Sequence, residues 1–423
     1  MRIARKARRT LLAGIGLILL GVVALALADP VFWDRYFRAY TFDSFVDHPF
    51  PEPGRLYPQE RVPGQPHPRA VPVDTAGSRS IAAAALADAE SFAERTGSTS
   101  LIVYHDGRIQ FERYWRGATP DRPVYSFSMH KTVVALLIGI ALADGEIGSV
   151  RDPLARYVPA LGADERRRIT LENALQMAGG FEPAAFPRNP FSKHVRMQVG
   201  TDLPAAALAF GLAHAPGTTF DYNGVNPTLL AMALERATGK RYATYLSEKL
   251  WAPLGNRDAA VWLDHEGGLV RAATSLFATP MDWLRLGEML LNRGRVGERQ
   301  VVPAAWIDRM TTPSRTNPLY GYLIWLGSRY SEQRTLTAFK GFAARARQPF
   351  VATDMFYLDG LGGQRVYVIP SRRMVIVRTG LLSRDWEDAT LPNTLIGGIV
   401  ESQEATPPRA APPGPAPTGR PLS

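Results

Sequence analysis

The sequence predicts an α+β fold: one five-stranded antiparallel sheet flanked by helices, with a helical lobe inserted between its strands. Three observations predict it. Strand-like segments occur at the two ends of the folded body, two near its start and three near its finish. A helix-rich stretch, about 126–310, separates the two groups. Neither group is large enough to form a sheet with a good core, so joining them is the economical solution.

The elements follow in order. Residues 1–10 carry Arg2, Arg5, Lys6, Arg8 and Arg9, and residues 11–28 are then free of charge. A basic run beside an apolar stretch stays on the cytoplasmic side, which sends the rest of the chain across the inner membrane of a bacterial cell envelope. Two fates fit residues 1–28. Ala26-Leu27-Ala28 has the small-x-small form of a signal-peptidase site, and the run is also just long enough to stay as a membrane anchor. Residues 29–75 hold all nine prolines of the stretch 30–72 and read as a linker or an arm along the domain. Phe32, Trp33, Tyr36 and Phe37 suit the membrane interface.

The body, 76–402, opens with an alanine-rich amphipathic helix over 81–95. A hairpin follows, 100–104 and 108–115, turned by His105-Asp106-Gly107. After the helical middle come strands at 354–358, 365–369 and 374–378, then a helix over 386–401. Within the middle, Asn226-Pro227 reads as an N-cap and first helical residue of a helix over 227–238 that Gly239 ends. Residues 403–423, with seven prolines, read as a disordered tail.

Composition excludes several functions. The net charge of +10 falls to +5 without the five N-terminal basic residues, leaving 44 basic against 39 acidic residues. Lys and Arg do not cluster with aromatics in the body, which argues against nucleic-acid binding. The absence of cysteine excludes disulfides, a thiol nucleophile and thiolate metal sites. No metal, phosphate-loop or dinucleotide signature is present, so no cofactor is expected.

Ser128-Met129-His130-Lys131 is the single Ser-x-x-Lys of the chain. An apolar run to Ala143 and then Gly145 follow it, the pattern of a buried helix with a glycine stop. Three residues apart, Ser128 and Lys131 share a helix face. A serine hydroxyl needs a base, and a lysine stripped of water has a lowered pKa and can serve as one. The helix N-terminus favours the developing negative charge. The competing reading makes Ser128 a plain N-cap and lets Lys131 reach to solvent. His130 points to another side and reads as structural or as a pocket wall.

These residues, with Gly139-Ile-Ala-Leu-Ala-Asp-Gly, Asp152-Pro-Leu-Ala-Arg-Tyr-Val-Pro and Thr170-Leu-Glu-Asn-Ala-Leu-Gln-Met-Ala-Gly-Gly in that order, resemble the serine β-lactamase/penicillin-binding-protein superfamily over about 80–400. The resemblance implies a β-lactamase/transpeptidase-like fold. It implies that Tyr222, in Tyr222-Asn223-Gly224, shuttles a proton between the serine and the leaving group. It also implies that Gly360-Leu361-Gly362-Gly363-Gln364 lets a strand edge pass the substrate. Gly362 and Gly363 would leave room there, and the N–H groups of Gln364 and Ser128 would form the oxyanion hole. Gly224 stands where the family has Asn, and Leu361 where a basic residue often binds a substrate carboxylate. The pattern resembles the branch of esterases and 6-aminohexanoate-oligomer hydrolases.

The expected function is thus an extracytoplasmic serine hydrolase of a small ester or amide, working through a Ser128 acyl-enzyme. A D-alanyl-D-alanine carboxypeptidase or β-lactamase, and a non-catalytic binder of cell-wall peptides, are the competing readings.

Overall fold

The computed structural model describes residues 28–42, 56–75, 79–183, 189–335 and 343–400. The N-terminal basic and apolar run and the 403–423 tail lie outside the described residues, apart from Ala28.

In chain order, helix α1 spans Pro30–Phe37 and strand β1 spans Gln59–Val62. Helix α2, Ala83–Arg95, leads into the hairpin β2, Ser98–His105, and β3, Arg108–Tyr114. The turn works because Asp106 and Gly107 both take positive φ, 50° and 89°. Strand β4, Val124–Tyr125, precedes helix α3, His130–Ala143. Helices α4, Lys193–Val199, and α5, Val225–Thr238, follow. Next come β5, Ala259–Trp262, β6, Leu276–Ala278, and helix α6, Pro280–Leu291. Strands β7, Trp325–Leu326, β8, Phe356–Gly360, β9, Gln364–Ile369, and β10, Met374–Gly380, complete the sheets, and α7, Thr390–Gly397, ends the body.

The main sheet is antiparallel and runs β3-β2-β10-β9-β8-β7. Strands from both ends of the body do join, but there are six rather than five. The extra strand is Trp325–Leu326, paired with Tyr357 and Phe356. Two residues carry no alternation from which a strand can be read. Helix α6 covers one face, where Gly287 lets it approach Val366 and Val375. Helices α2 and α7 pack together over the other.

The middle segment is not purely helical. It contributes β4, β5 and β6 to a second sheet of order β1-β5-β6-β4, whose outer strand comes from the proline-rich arm. These strands are two to four residues long, below the length at which period two declares itself. Tyr57, Tyr125, Trp262 and Phe277 form a satellite core along this sheet.

Two further boundaries differ from expectation. Helix α5 starts at Val225, so Asn226 lies inside its first turn instead of capping it. The N-cap position is Gly224, and the capping bonds come from the residue before it: Asn223 Oδ1 accepts from Val225 N at 3.0 Å and Asn226 N at 3.1 Å. The last helix is only Thr390–Gly397, because Trp386 and Asp388 are engaged with Arg378 and Arg365 of the sheet.

Helix α3 is the hub. It is buried on every side from His130 to Ala141, as its uniformly apolar sequence requires. Leu136, Leu137 and Ile138 are each fully buried, which stabilises the fold by about 1.5–3 kcal/mol apiece. Trp306 crosses at Gly139 and donates its indole N–H to the Ala135 carbonyl at 3.0 Å.

Candidate active site

The approach to α3 is a tight turn. Ser126 N donates to Leu276 O at 3.0 Å and Ser126 Oγ to Thr274 O at 3.2 Å, which stitches the turn to β6. Phe127 then takes φ 48°, a left-handed conformation that a bulky residue adopts at a cost of about 1–3 kcal/mol. Its ring packs edge-on against Tyr125, centroids 4.4 Å apart, and this contact helps hold the turn. A 3₁₀ turn over Phe127–Met129 delivers Ser128 at the mouth of α3.

Lys131 Nζ lies 2.8 Å from Ser128 Oγ and donates to Ala273 O at 2.7 Å. The residue is 4% exposed, and among the described residues no carboxylate forms an ion pair with it. Burial drives its pKa down to about 7, against a smaller upward pull from the charge of Asp359. Near neutrality the side chain is therefore shared between ammonium and amine. The amine can accept the serine proton across the same 2.8 Å contact.

Tyr222 sits on the turn before α5. Its neighbours Asp221 and Asn223 are buried and bonded to each other, Asn223 Nδ2 to Asp221 Oδ2 at 3.0 Å, which fixes the backbone. Its ring faces Lys131, with Nζ 4.9 Å from the centroid. Trp325 and Tyr320 back the ring at 5.7 and 6.1 Å. The structure thus brings Ser128, Lys131 and Tyr222 together. Gly224 has room for a side chain: a Cβ there would meet Ala273 at 3.6 Å and Met197 at 3.9 Å.

His130 lies elsewhere. Its Nε2 is 2.9 Å from Tyr242 Oη, and burial first, then Lys131, lowers its pKa to about 3, so it is neutral.

The glycine motif is divided between two jobs. The glycine pressed against the nucleophile's turn is Gly360, where a Cβ would come 2.4 Å from Ser126 O. Gly362 and Gly363, at φ 81° and 74°, form the β8–β9 turn. Gln364 lies opposite Gly360 on β9, one strand further in. Its side chain turns to β10, where Nε2 donates to Gly380 O at 2.5 Å and Oε1 accepts from Gly380 N at 3.1 Å. Arg378, fully buried, donates to Gly362 O at 2.5 Å and braces the turn from behind. Gln364 therefore anchors the hairpin, and its side chain does not reach the serine.

Sequence reasoning missed two participants. Ala273 acts through its backbone carbonyl, for which no side-chain signal exists. Asp359 carries a charge into the site wall beside Gly360 and acts on both Lys131 and Tyr320. Arg365 holds it at 2.5 Å and also binds Asp388 at 2.7 Å.

Comparison with known proteins bears on the family and the fold. The family model described as Beta-lactamase matches residues 83–387, well over half of the chain. A 6-aminohexanoate-dimer hydrolase of Paenarthrobacter ureafaciens is 27% identical over 289 residues, covering 63% of this chain and 71% of that protein. A candidate 6-aminohexanoate-dimer hydrolase structure from Bacillus anthracis superposes with TM-score 0.63 at 19% identity, covering 81% of this chain and 88% of the other. A family VIII carboxylesterase gives TM-score 0.55 at 15% identity, covering 75% and 98%. At these identities the structures speak for the fold.

Proposed function

This chain belongs to the beta-lactamase family, and on that premise we propose that it is an extracytoplasmic hydrolase of small esters or linear amides that works through a Ser128 acyl-enzyme. The observation that carries the reading is the 2.8 Å contact between Ser128 Oγ and a buried Lys131 whose pKa is near 7.

Lys131 as amine takes the proton of Ser128 as Oγ attacks the substrate carbonyl. The tetrahedral oxyanion is held by the Ser128 N–H and a backbone N–H of the 360–364 hairpin. The contact of Gly360 with Ser126 favours the N–H of Leu361 over that of Gln364 for this second donor. Tyr222, beside Lys131, passes a proton to the leaving alcohol or amine. Water then attacks the acyl-enzyme and regenerates Ser128. Every proton moves between groups of this chain and the substrate, so the cycle needs no cofactor.

Leu361, apolar where a basic residue often binds a substrate carboxylate, favours an uncharged acyl group over the carboxylate of a penicillin. The test compares p-nitrophenyl acyl esters and the 6-aminohexanoate dimer with a fluorescent penicillin. Turnover of an ester or of the amide, lost by at least about 10³-fold in Ser128→Ala, with no penicillin label, is expected. Labelling by the penicillin without ester or amide turnover would move the protein to the carboxypeptidase or β-lactamase class.

A further inference from the structure

Helix α1 begins two residues after the uncharged run 11–28. It is bolted to the domain by one face. Phe32 is fully buried against Val195 and Val199 of α4, with the Arg196 guanidinium 4.1 Å over its ring. Arg35, also buried, donates to Leu56 O at 2.8 Å, Gly200 O at 3.2 Å and Asp264 O at 2.8 Å. These contacts leave the helix no freedom to swing.

The other side is apolar and outward. Phe37 is 47% and Phe191 61% exposed. Both lie against Trp33, at 6.0 and 6.1 Å between centroids, so three aromatic rings from two separate segments make one patch. Isolated exposed apolar residues are ordinary, but a contiguous aromatic patch on a rigid mount marks a contact surface.

We propose that Trp33, Phe37 and Phe191 form a docking face that seats the domain on the lipid bilayer holding residues 11–28. Chain continuity selects this occupant. Eighteen uncharged residues in a helix span about 27 Å, close to the ~30 Å hydrocarbon core. Kept as an anchor, residues 11–28 would bring the chain out of the core at about Ala28 and put the start of α1 at the headgroup level. Aromatic rings partition to that level. The eight residues of α1 cover only about 12 Å, so the patch cannot lie far from the bilayer surface. Its rigid mount on α4, which also carries Met197 beside Gly224, fixes the orientation of the catalytic domain relative to the membrane. The inference stands on packing and chain geometry and does not depend on the catalytic assignment.

The chain has no cysteine, so single-site labelling is clean. The full chain is reconstituted in phosphatidylcholine/phosphatidylglycerol vesicles, with an environment-sensitive fluorophore on Phe37→Cys, Phe191→Cys or, as the control, Val351→Cys, which is exposed elsewhere. Thermal melts confirm that each variant is folded. The proposal expects blue-shifted emission at 37 and 191, quenched at least twofold by lipid carrying a nitroxide near its headgroup, and neither effect at 351. Water-like emission at 37 and 191 with the chain inserted in the vesicle would overturn it. So would shielding that lipid nitroxide does not quench and that grows with protein-to-lipid ratio, because a second copy would then cover the face. Fluorophosphonate labelling of Ser128 in the same vesicles reports the catalytic reading separately.

Discussion

Lys131 decides the chemistry at the residue scale. Its ammonium is buried without a paired carboxylate among the described residues, so its pKa falls to about 7. The acylation rate, kcat/KM, is expected to rise with pH along a limb centred near 7 as the amine form appears. Asp359 pulls this pKa up. Removing its charge in Asp359→Asn therefore lowers it, and the limb should move to lower pH in the pH–rate profile. A limb that stays in place would show that Asp359 does not act on Lys131. Stability carries the same signature. The folded pKa lies below the ordinary lysine value, so the destabilisation is full below about pH 7 and fades as pH rises towards 10.5. Lys131→Met should melt at a higher temperature than the parent at pH 6, with the gap narrowing at pH 10, while acylation falls by about 10²–10⁴-fold. The Ser-x-x-Lys spacing was legible because it is local to one helix turn. Asp359 was not, because its meaning depends on β8 lying beside a turn more than two hundred residues earlier.

At the scale of elements, the site is assembled where β8 passes the turn before α3. Gly360 permits that approach, since a Cβ would meet the Ser126 carbonyl oxygen at 2.4 Å, and backbone cannot step aside. Gly360→Ala should cut kcat by ~10²-fold through misplacement of the strand edge, measured with the ester that the parent turns over. Gly224 is the opposite case. Its φ of −88° suits any residue and its surroundings are open, so Gly224→Asn should leave the melting temperature within a few degrees. An unfolded or strongly destabilised protein would contradict the geometry. The longer strands were legible as short runs rich in β-branched and aromatic residues, and α3 as a uniformly apolar helix. Trp325–Leu326, β4 and β6 were not, because two or three residues hold no period. The capping side chain of α5 was misplaced by three residues because Asn223 and Asn226 both satisfy the cap chemistry, and only the fold chooses between them.

Over the whole molecule, the strands from the two ends of the body enclose a middle segment that brings Tyr222 and Ala273 to α3. The joining of the two strand groups was readable because neither could bury a face alone. The contribution of the arm was obscured by its prolines. It supplies β1 to the second sheet, Tyr57 to the satellite core with Trp262 at 4.9 Å, and the buried Phe32 and Arg35. Burial of Phe32, Tyr57 and Val62 stabilises the fold by about 1.5–3 kcal/mol each, a large share of the 5–15 kcal/mol typical of a domain. A chain starting at residue 76 should melt well below one starting at residue 29, or fail to stay soluble; equal melting curves would show the arm to be a passive tether. The central claim, an activated serine, is tested most directly by intact mass after exposure to a fluorophosphonate, with Ser128→Ala alongside. One adduct on the parent, faster at pH 8 than at pH 6 and missing from the variant, is the predicted result. A folded parent that takes no adduct, or an equal adduct on the variant, would contradict it.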